Sequence, residues 1–156
     1  MIRIAEIEKT IEQEQAGGLL RCEKEGEFPL LWVEKEQLVA VLRLLRDRFD
    51  FESLMCETAA DKGNHFDLIY HLFCTVRRET LVIKTEVPRG NPQVETAEEV
   101  WSSANWYERE IFDLFGVEFI GHSDLSRILL PPDWVGHPLR KDYSPAAEYH
   151  GMKIEF

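Results

Sequence analysis

The chain has 156 residues, of which 44% are hydrophobic and 30% charged, and its formal net charge is −11. That length is typical of one domain, and that balance is typical of a globular protein rather than a disordered one. The negative charge argues against a nucleic-acid partner and against direct docking on anionic lipid, and the longest apolar runs are too short to cross a bilayer, so we expect no direct membrane insertion.

Hydrophobic periodicity predicts the elements of the N-terminal half. Ile4, Ile7 and Ile11 recur at helical spacing, and the glutamates among them leave no apolar run of the kind that a signal peptide needs, so we expect a cytoplasmic location. Further along, the apolar residues alternate at strand spacing, and the short polar links between them favour antiparallel pairing. The expected elements are a helix over residues 2–15, strands over 19–23 and 28–33, a helix over 35–48, and strands over 51–59, 66–74 and 80–87.

The C-terminal half predicts one more helix and then an extended segment. Thr96-x-x-Glu99 has the spacing of a capping box, which would open a helix that runs to Phe115 and stops at Gly116. Repeated prolines beyond that point exclude long regular elements. We therefore expect an α+β fold with a small antiparallel or mixed sheet, helices packed on one sheet face, and an extended C-terminal tail. The expected divisions are a sheet domain over residues 1–92, a helical segment over 93–116 that completes the same domain, and a proline-rich interaction tail over 117–156.

The segment 106–116, WYEREIFDLFG, predicts a helix that is apolar on more than one side. Such a helix must be covered on more than one side, either by the chain's own tail or by a partner. Arg109 and Asp113 stand four residues apart and are expected to pair along the helix.

The tail places basic residues in an apolar, proline-rich context. Arg127, Arg140 and Lys141 allow two interpretations: they form ion pairs with carboxylates of this chain, or they anchor the tail in an acidic groove of a partner. Trp134 and Tyr143 lie nearby and are residue types enriched at interface hot spots. Composition alone favours neither interpretation.

The cysteines argue against an iron–sulfur cluster in this chain. Cys22, Cys56 and Cys74 lie far apart, without CxxC spacing, and such a cluster normally needs four thiolates. We interpret them as small buried hydrophobic residues.

A catalytic or metal site is also poorly supported. Paired carboxylates can do acid–base work or bind a hard cation, but Glu108 does not share a helix face with Glu110 and Asp113, and no Glu-x-x-His pair follows. His122 and His137 have no second zinc ligand near them in sequence. We therefore expect no catalytic, cofactor-binding or metal-binding residue in this chain.

An ordered series of motifs resembles a known family. The motifs are ERExxDLFG at 108–116, Gly121-His122, Leu125-x-Arg127-Ile128-Leu129, Asp133-Trp134-x-Gly136-His137-Pro138 and Leu139-Arg140-Lys141-Asp142-Tyr143. Together they are similar to the 30-kDa, C-type subunit of respiratory complex I, the NADH:quinone oxidoreductase. Two positions depart from the family pattern. Ser123 stands where the family often has proline, and Ser126 stands where a basic residue is usual.

The resemblance implies a non-catalytic, cofactor-free structural and assembly subunit in the peripheral arm of a proton-translocating complex. Its implied partners are the large quinone-site subunit, on which it docks, and neighbouring subunits that hold FMN and iron–sulfur clusters. The complex would keep it, as a peripheral protein, on the cytoplasmic side of the bacterial inner membrane. The implied docking and fold-holding residues are Glu108, Arg109, Glu110, Asp113, Gly116, His122, Arg127, Trp134, Gly136, Pro138, Arg140, Lys141, Asp142 and Tyr143.

Two other functions fit the sequence. The first is the equivalent subunit of a membrane-bound nickel–iron hydrogenase or of a ferredoxin- or deazaflavin-linked relative, which gene neighbours or nickel in the assembly would reveal. The second belongs to a different class, a free-standing metal-dependent enzyme that uses Glu110, Asp113 and His122. Stoichiometric metal and turnover in the isolated chain would support it.

Overall fold

The computed structural model describes residues 4–15, 17–23 and 26–153. The helices are α1 (Ile4–Glu14), α2 (Leu38–Phe49) and α3 (Ala104–Phe115), and a 3-10 turn at Lys35–Gln37 precedes α2. The strands are β1 (Leu19–Glu23), β2 (Leu30–Val33), β3 (Ser53–Asp61), β4 (His65–Cys74), β5 (Glu79–Pro88), β6 (Gln93–Glu95), β7 (Glu118–Ile120), β8 (Glu148–Tyr149) and β9 (Met152–Lys153). The predicted helices and strands of the N-terminal half are confirmed to within a few residues. Residues 2 and 3 of the first predicted helix lie outside the described ranges.

Five strands form one mixed sheet in the order β1-β2-β5-β4-β3. The strands β3, β4 and β5 form an antiparallel meander, as their short links predict. The strand β2 pairs in parallel with β5, because α2 and the β3–β4 hairpin supply the long crossover that parallel neighbours require. The predicted α+β class is confirmed, in its mixed-sheet form.

One face of this sheet forms the core. Phe66, Leu68, Tyr70 and Leu72 alternate along β4 and are fully buried, since alternate residues of a strand share a face. The apolar stripes of α1 and α2 belong to the same buried cluster. Fully burying a side chain of leucine size contributes about 1.5–3 kcal/mol. Packing on this face therefore holds the helices to the sheet.

Helix α3 packs on β3 and starts later than the sequence predicts. It ends at Gly116, whose φ of 71° is left-handed, so the predicted stop is confirmed. The predicted capping box is wrong. The Thr96 hydroxyl donates to the carboxylate of Glu108 and accepts from the Glu98 N–H. The Thr96 N–H donates to the Ile120 carbonyl rather than to Glu99, and the helix begins at Ala104. The unpredicted strands β6 and β7 pair in parallel and bring the two ends of this segment together.

The residues after α3 run along the surface of the domain. Val117 and Phe119 still contribute to the core, and from there to residue 153 the structure describes only short strands and turns, as the prolines predict. Within the described ranges, no helix is long and apolar enough to span a membrane.

Candidate protein-interaction site

The tail is attached to α3 through one buried carboxylate, that of Asp113. Its Oδ2 accepts hydrogen bonds from three successive backbone N–H groups at 2.8–3.0 Å, those of Ile128, Leu129 and Leu130. Its Oδ1 accepts a hydrogen bond of 2.6 Å from Nη1 of Arg127. Burial by itself would raise the pKa of Asp113, but the bonds from Leu130 and Arg127 outweigh it and lower the pKa below its usual value. The ionised carboxylate is therefore the form that holds the tail.

Arg127 extends this connection to the next loop. Its Nη2 donates to the carbonyl oxygens of Trp134 at 3.0 Å and Gly136 at 3.1 Å. Arg109 also reaches the tail, donating to the Ser126 carbonyl at 3.1 Å rather than to Asp113. The predicted Arg109–Asp113 pair along the helix is thus wrong, because the tail lies beside α3 and offers both side chains better-placed partners.

The tail also caps the C-terminal end of α3. The last carbonyl groups of a helix have no partner within the helix and need one from elsewhere. Here the Asp113 carbonyl accepts from His137 Nδ1 at 3.0 Å, and the Leu114 carbonyl accepts from the Leu139 N–H at 3.0 Å. The Phe115 carbonyl accepts from Arg140 Nε at 2.5 Å. A guanidinium at this end also interacts favourably with the helix dipole.

Gly116 allows this close approach. A Cβ built at this position would lie 2.5 Å from the ring of His137 and 2.6 Å from Nη2 of Arg140, closer than real Cβ atoms approach other atoms. The positive φ adds a second reason for glycine here. The glycine is therefore required by the tail as well as by the helix end.

A second connection ties the tail to the end of β3. Asp61 accepts from the N–H of Lys141 at 2.8 Å and from Nη1 of Arg89 at 2.7 Å. Arg89 also bonds Asp142 in the tail. The hydrogen bond from Arg89, followed by those from backbone N–H groups, holds the pKa of Asp61 well below its usual value. The Lys141 side chain itself is exposed.

These contacts bear on the two interpretations of the basic tail residues. Arg127 and Arg140 form intramolecular bonds, Arg127 with a carboxylate and Arg140 with helix carbonyls. In the same region Trp134 Nε1 donates to the Tyr143 hydroxyl at 3.2 Å, and Gly136 leaves room for the Tyr143 ring. A role of any of these residues in contacting a partner stays a prediction.

The tail leaves large apolar side chains exposed on this framework. We call Trp106, Leu129, Val135 and Leu139 the exposed apolar group; all four are more than half exposed. The backbone is bonded at or beside each of the three tail members. The Leu129 N–H donates to Asp113, and the Leu139 N–H donates to the Leu114 carbonyl. Val135 lies between Trp134 and Gly136, whose carbonyls accept from Arg127. Arg109, which binds the tail, lies over the Trp106 ring at 5.6 Å. Large apolar side chains that are exposed and held in place are candidates for contact with a partner. The sequence motifs include Leu129 and Leu139, but no docking role was predicted for them or for Val135, because isolated apolar residues in an irregular segment have no periodicity.

Two of the predicted docking residues lie elsewhere. Glu108 is fully buried, where its carboxylate accepts from the Ala97 N–H at 2.6 Å, and burial raises its pKa to about 7. His122 lies beside it, with Nε2 at 3.9 Å from Glu108 Oε2. Glu57 of β3 is also buried, at 4% exposure, and neither of its carboxylate oxygens has a hydrogen-bond partner. The only sequence signal for Glu57 is an acidic residue within a predicted strand.

The structure also bears on metal binding. Glu110 is exposed and His122 lies beside Glu108, while Asp113 is already bonded to the tail, so the three residues of the proposed metal-dependent enzyme have separate environments. A different group, His65, Asp67 and Glu86, has ligand atoms that all lie within 4.8 Å of one another. That group could hold a cation, but Lys62 already brings a positive charge to 3.7 Å from Asp67.

Comparison with known proteins gives consistent matches. Residues 31–149 match the family described as respiratory-chain NADH dehydrogenase, 30 Kd subunit. The chain is 40% identical over 139 residues to the C/D subunit of the NADH-quinone oxidoreductase of Acidiphilium cryptum, covering 81% of this chain and 24% of that protein. It is 39% identical over 132 residues to the C/D subunit of the Azotobacter vinelandii enzyme, covering 78% and 22%. The chain thus spans about a quarter of the length of these relatives.

Solved structures share the fold. The trypsin-resistant fragment of Nqo5 is 25% identical, with a TM-score of 0.65, and the match covers 76% of this chain and 98% of that one. A chain of the membrane-bound sulfane sulfur reductase, an archaeal respiratory membrane complex, is 26% identical, with a TM-score of 0.76, and covers 92% and 86%.

Proposed function

Because the chain belongs to the respiratory-chain NADH dehydrogenase 30-kDa subunit family, we propose that it is a cofactor-free structural subunit in the peripheral arm of a proton-translocating NADH:quinone oxidoreductase. It docks there on the large quinone-site subunit. The electrons pass through FMN and iron–sulfur clusters that neighbouring subunits hold. The chain itself carries out no chemical step, and the complex keeps it on the cytoplasmic side of the membrane.

One observation carries this proposal, the rigid presentation of the exposed apolar group. The Asp113 and Arg127 bonds fix the backbone on either side of these side chains before any partner arrives. Binding then loses less conformational entropy than it would with a flexible tail, and a preorganised apolar surface binds more tightly for its area. Trp106 is of the residue type most often found at interface hot spots.

The relatives support the choice of partner. Their names combine a C part with a D part, and this chain corresponds to about a quarter of their length. In those proteins, the region like this chain is joined covalently to the remainder. We infer that the partner which contacts the exposed apolar group of this chain is of the D type.

The experiment compares charged substitutions inside and outside the exposed apolar group. Val76 is the matched control for Val135, because the two side chains are 84% and 82% exposed and Val76 lies in the β4–β5 turn, outside the exposed apolar group. We expect Val135→Asp, Leu129→Asp and Leu139→Asp to weaken binding to a co-expressed D-type polypeptide by about tenfold or more, since each would bury an unpaired carboxylate. Val76→Asp should bind like the unchanged chain.

The readout is co-purification followed by a titrated affinity measurement, with the melting temperature of each isolated variant as a check on folding. If all three tail variants bind the D-type polypeptide as well as Val76→Asp does, the exposed apolar group is not the docking surface and the proposal fails.

A second candidate is the equivalent subunit of another membrane-anchored respiratory complex. The match to the sulfane sulfur reductase chain supports it, with 26% identity and a TM-score of 0.76. The two candidates differ in the proteins that co-purify with the tagged chain. A flavin-bearing NADH-oxidising module supports the first, and nickel or a sulfur-reducing module supports the second.

A further inference from the structure

The space between β3, β4 and α3 holds acidic groups that the proposed docking does not use. Glu57 comes from β3 and Glu108 from α3, and both are at least nine-tenths buried. Tyr70 of β4 stands opposite Glu57 in the strand register and interacts with it. Both Glu57 oxygens and the Tyr70 hydroxyl nevertheless lack a hydrogen bond of standard geometry. Buried polar groups are normally paired, so this gap requires an explanation.

The surroundings supply no positive charge. Within the described ranges, neither Glu57 nor Glu108 forms an ion pair with a lysine or arginine. His122 Nε2 lies 3.9 Å from Glu108, but its Nδ1 accepts the Asp124 N–H at 3.0 Å. Its Nε2 must then carry the proton and donate to the Asn105 carbonyl at 3.1 Å, so the hydrogen-bond pattern assigns a neutral ring.

The remaining neighbours are neutral or acidic. Thr96 donates its hydroxyl to Glu108. Glu98, on the same loop, adds a further negative charge that acts on Glu108. Cys56 precedes Glu57 on β3, and burial together with the charge of Glu57 raises the pKa of its thiol. Two ionised carboxylates here would therefore be buried without a counterion, which is strongly unfavourable.

We propose that Glu57 and Glu108 retain one proton between them at neutral pH, and that this proton holds α3 on β3, so that the attachment of α3 weakens as the solution becomes alkaline. A protonated carboxyl on Glu57 carries no charge, so its burial beside Glu108 costs far less than the burial of a carboxylate. Loss of the proton leaves two like charges between the strand and the helix. Because α3 carries Trp106 and Asp113, the tail and its apolar side chains would loosen with it.

The direction follows from linkage. Burial, and then the charge of Glu108, raises the pKa of Glu57 well above its usual value, and burial raises the pKa of Glu108 to about 7 from 4.5. A carboxyl whose pKa is raised by folding stabilises the fold fully below its unfolded pKa and loses that contribution as the pH rises through its folded pKa. The stabilisation from protonated Glu108 is therefore lost between about pH 4.5 and pH 7. The stabilisation from protonated Glu57 is lost at still higher pH.

The test measures the folding equilibrium of the whole chain by urea unfolding from pH 5 to pH 8. From the shift of Glu108 alone, the folding constant should fall by about 70-fold across this range. The double variant Glu57→Gln with Glu108→Gln should lose that dependence. Glu110→Gln, an exposed glutamate on α3, should keep it.

A second measurement does not depend on any variant folding. The carbon-13 shifts of the glutamate carboxyls in the unchanged chain report protonation directly, and we expect one of the two buried carboxyls to stay protonated at pH 7. Amide protection in α3, corrected for intrinsic exchange, should fall as the pH rises. Two ionised buried carboxylates at pH 6, or a double variant with the same pH profile as Glu110→Gln, would overturn the proposal and leave the docking proposal untouched.

Discussion

Replacing Asp113 by asparagine tests the attachment of the tail most directly. The carboxylate accepts four hydrogen bonds, three from backbone N–H groups and one from Arg127. Asparagine keeps one acceptor oxygen, but its amide NH2 group would face either the Arg127 guanidinium or the three backbone N–H groups, which are all donors. It also leaves the Arg127 guanidinium, whose side chain is 16% exposed, without its counterion.

The magnitude follows from these contacts. Removing one partner of a buried ion pair costs about 3–5 kcal/mol, and the partial exposure of Arg127 places the expected loss near the lower end, about 3 kcal/mol. For a domain of this size, that loss lowers the melting temperature by about 6–12 °C. The tail beyond Ile128 should also be cleaved faster by a protease, because three backbone N–H groups lose their acceptor.

The assay is urea unfolding of the whole chain, with Asp124→Asn as the matched control, since Asp124 is an exposed tail aspartate. The folded pKa of Asp113 is lowered, so its contribution is present at neutral pH and is lost as the pH falls through that lowered value. The two variants should therefore converge in acid. A loss for Asp113→Asn within about 1 kcal/mol of the control at pH 7 would refute the reasoning, because the bonds would then contribute no more than an average surface change.

Two further substitutions probe the end of α3. Gly116→Ala should cost about 2 kcal/mol or more, because the left-handed φ adds about 1–2 kcal/mol and the new Cβ collides with His137 and Arg140. Gly63→Ala, which has a positive φ but no atom within 4 Å of its Cβ, separates these two causes, and equal losses in urea unfolding would contradict the collision. Arg140→Ala should cost the isolated chain about 1–3 kcal/mol through the lost bonds to the helix carbonyls, with Lys141→Ala as control. If Arg140→Ala melts at the unchanged temperature but binds the D-type polypeptide more weakly, Arg140 acts as a docking anchor instead.

The local sequence was sufficient for most of the elements. Alternation along β4 and the apolar stripe of α2 each repeat at the period of one element, and short links allow only antiparallel neighbours. Gly116 signals a helix end by its own conformational freedom. The motif series from Glu108 to Tyr143 was specific enough to indicate the family, because several rare combinations occur in one order.

Pairings between distant residues depended on the folded chain. Asp113 could bond Arg109 four residues away or Arg127 fourteen residues away, and spacing along a helix favours the near partner. The tail lies against α3 and supplies backbone donors as well as the guanidinium, so the distant partner is the one bonded. The burial of Glu57 and Glu108 and the parallel pairing of β2 with β5 likewise depend on contacts between segments far apart in the sequence. Periodicity describes which side of an element is apolar, but which elements meet, and which charges they bury together, is set by packing across the whole domain.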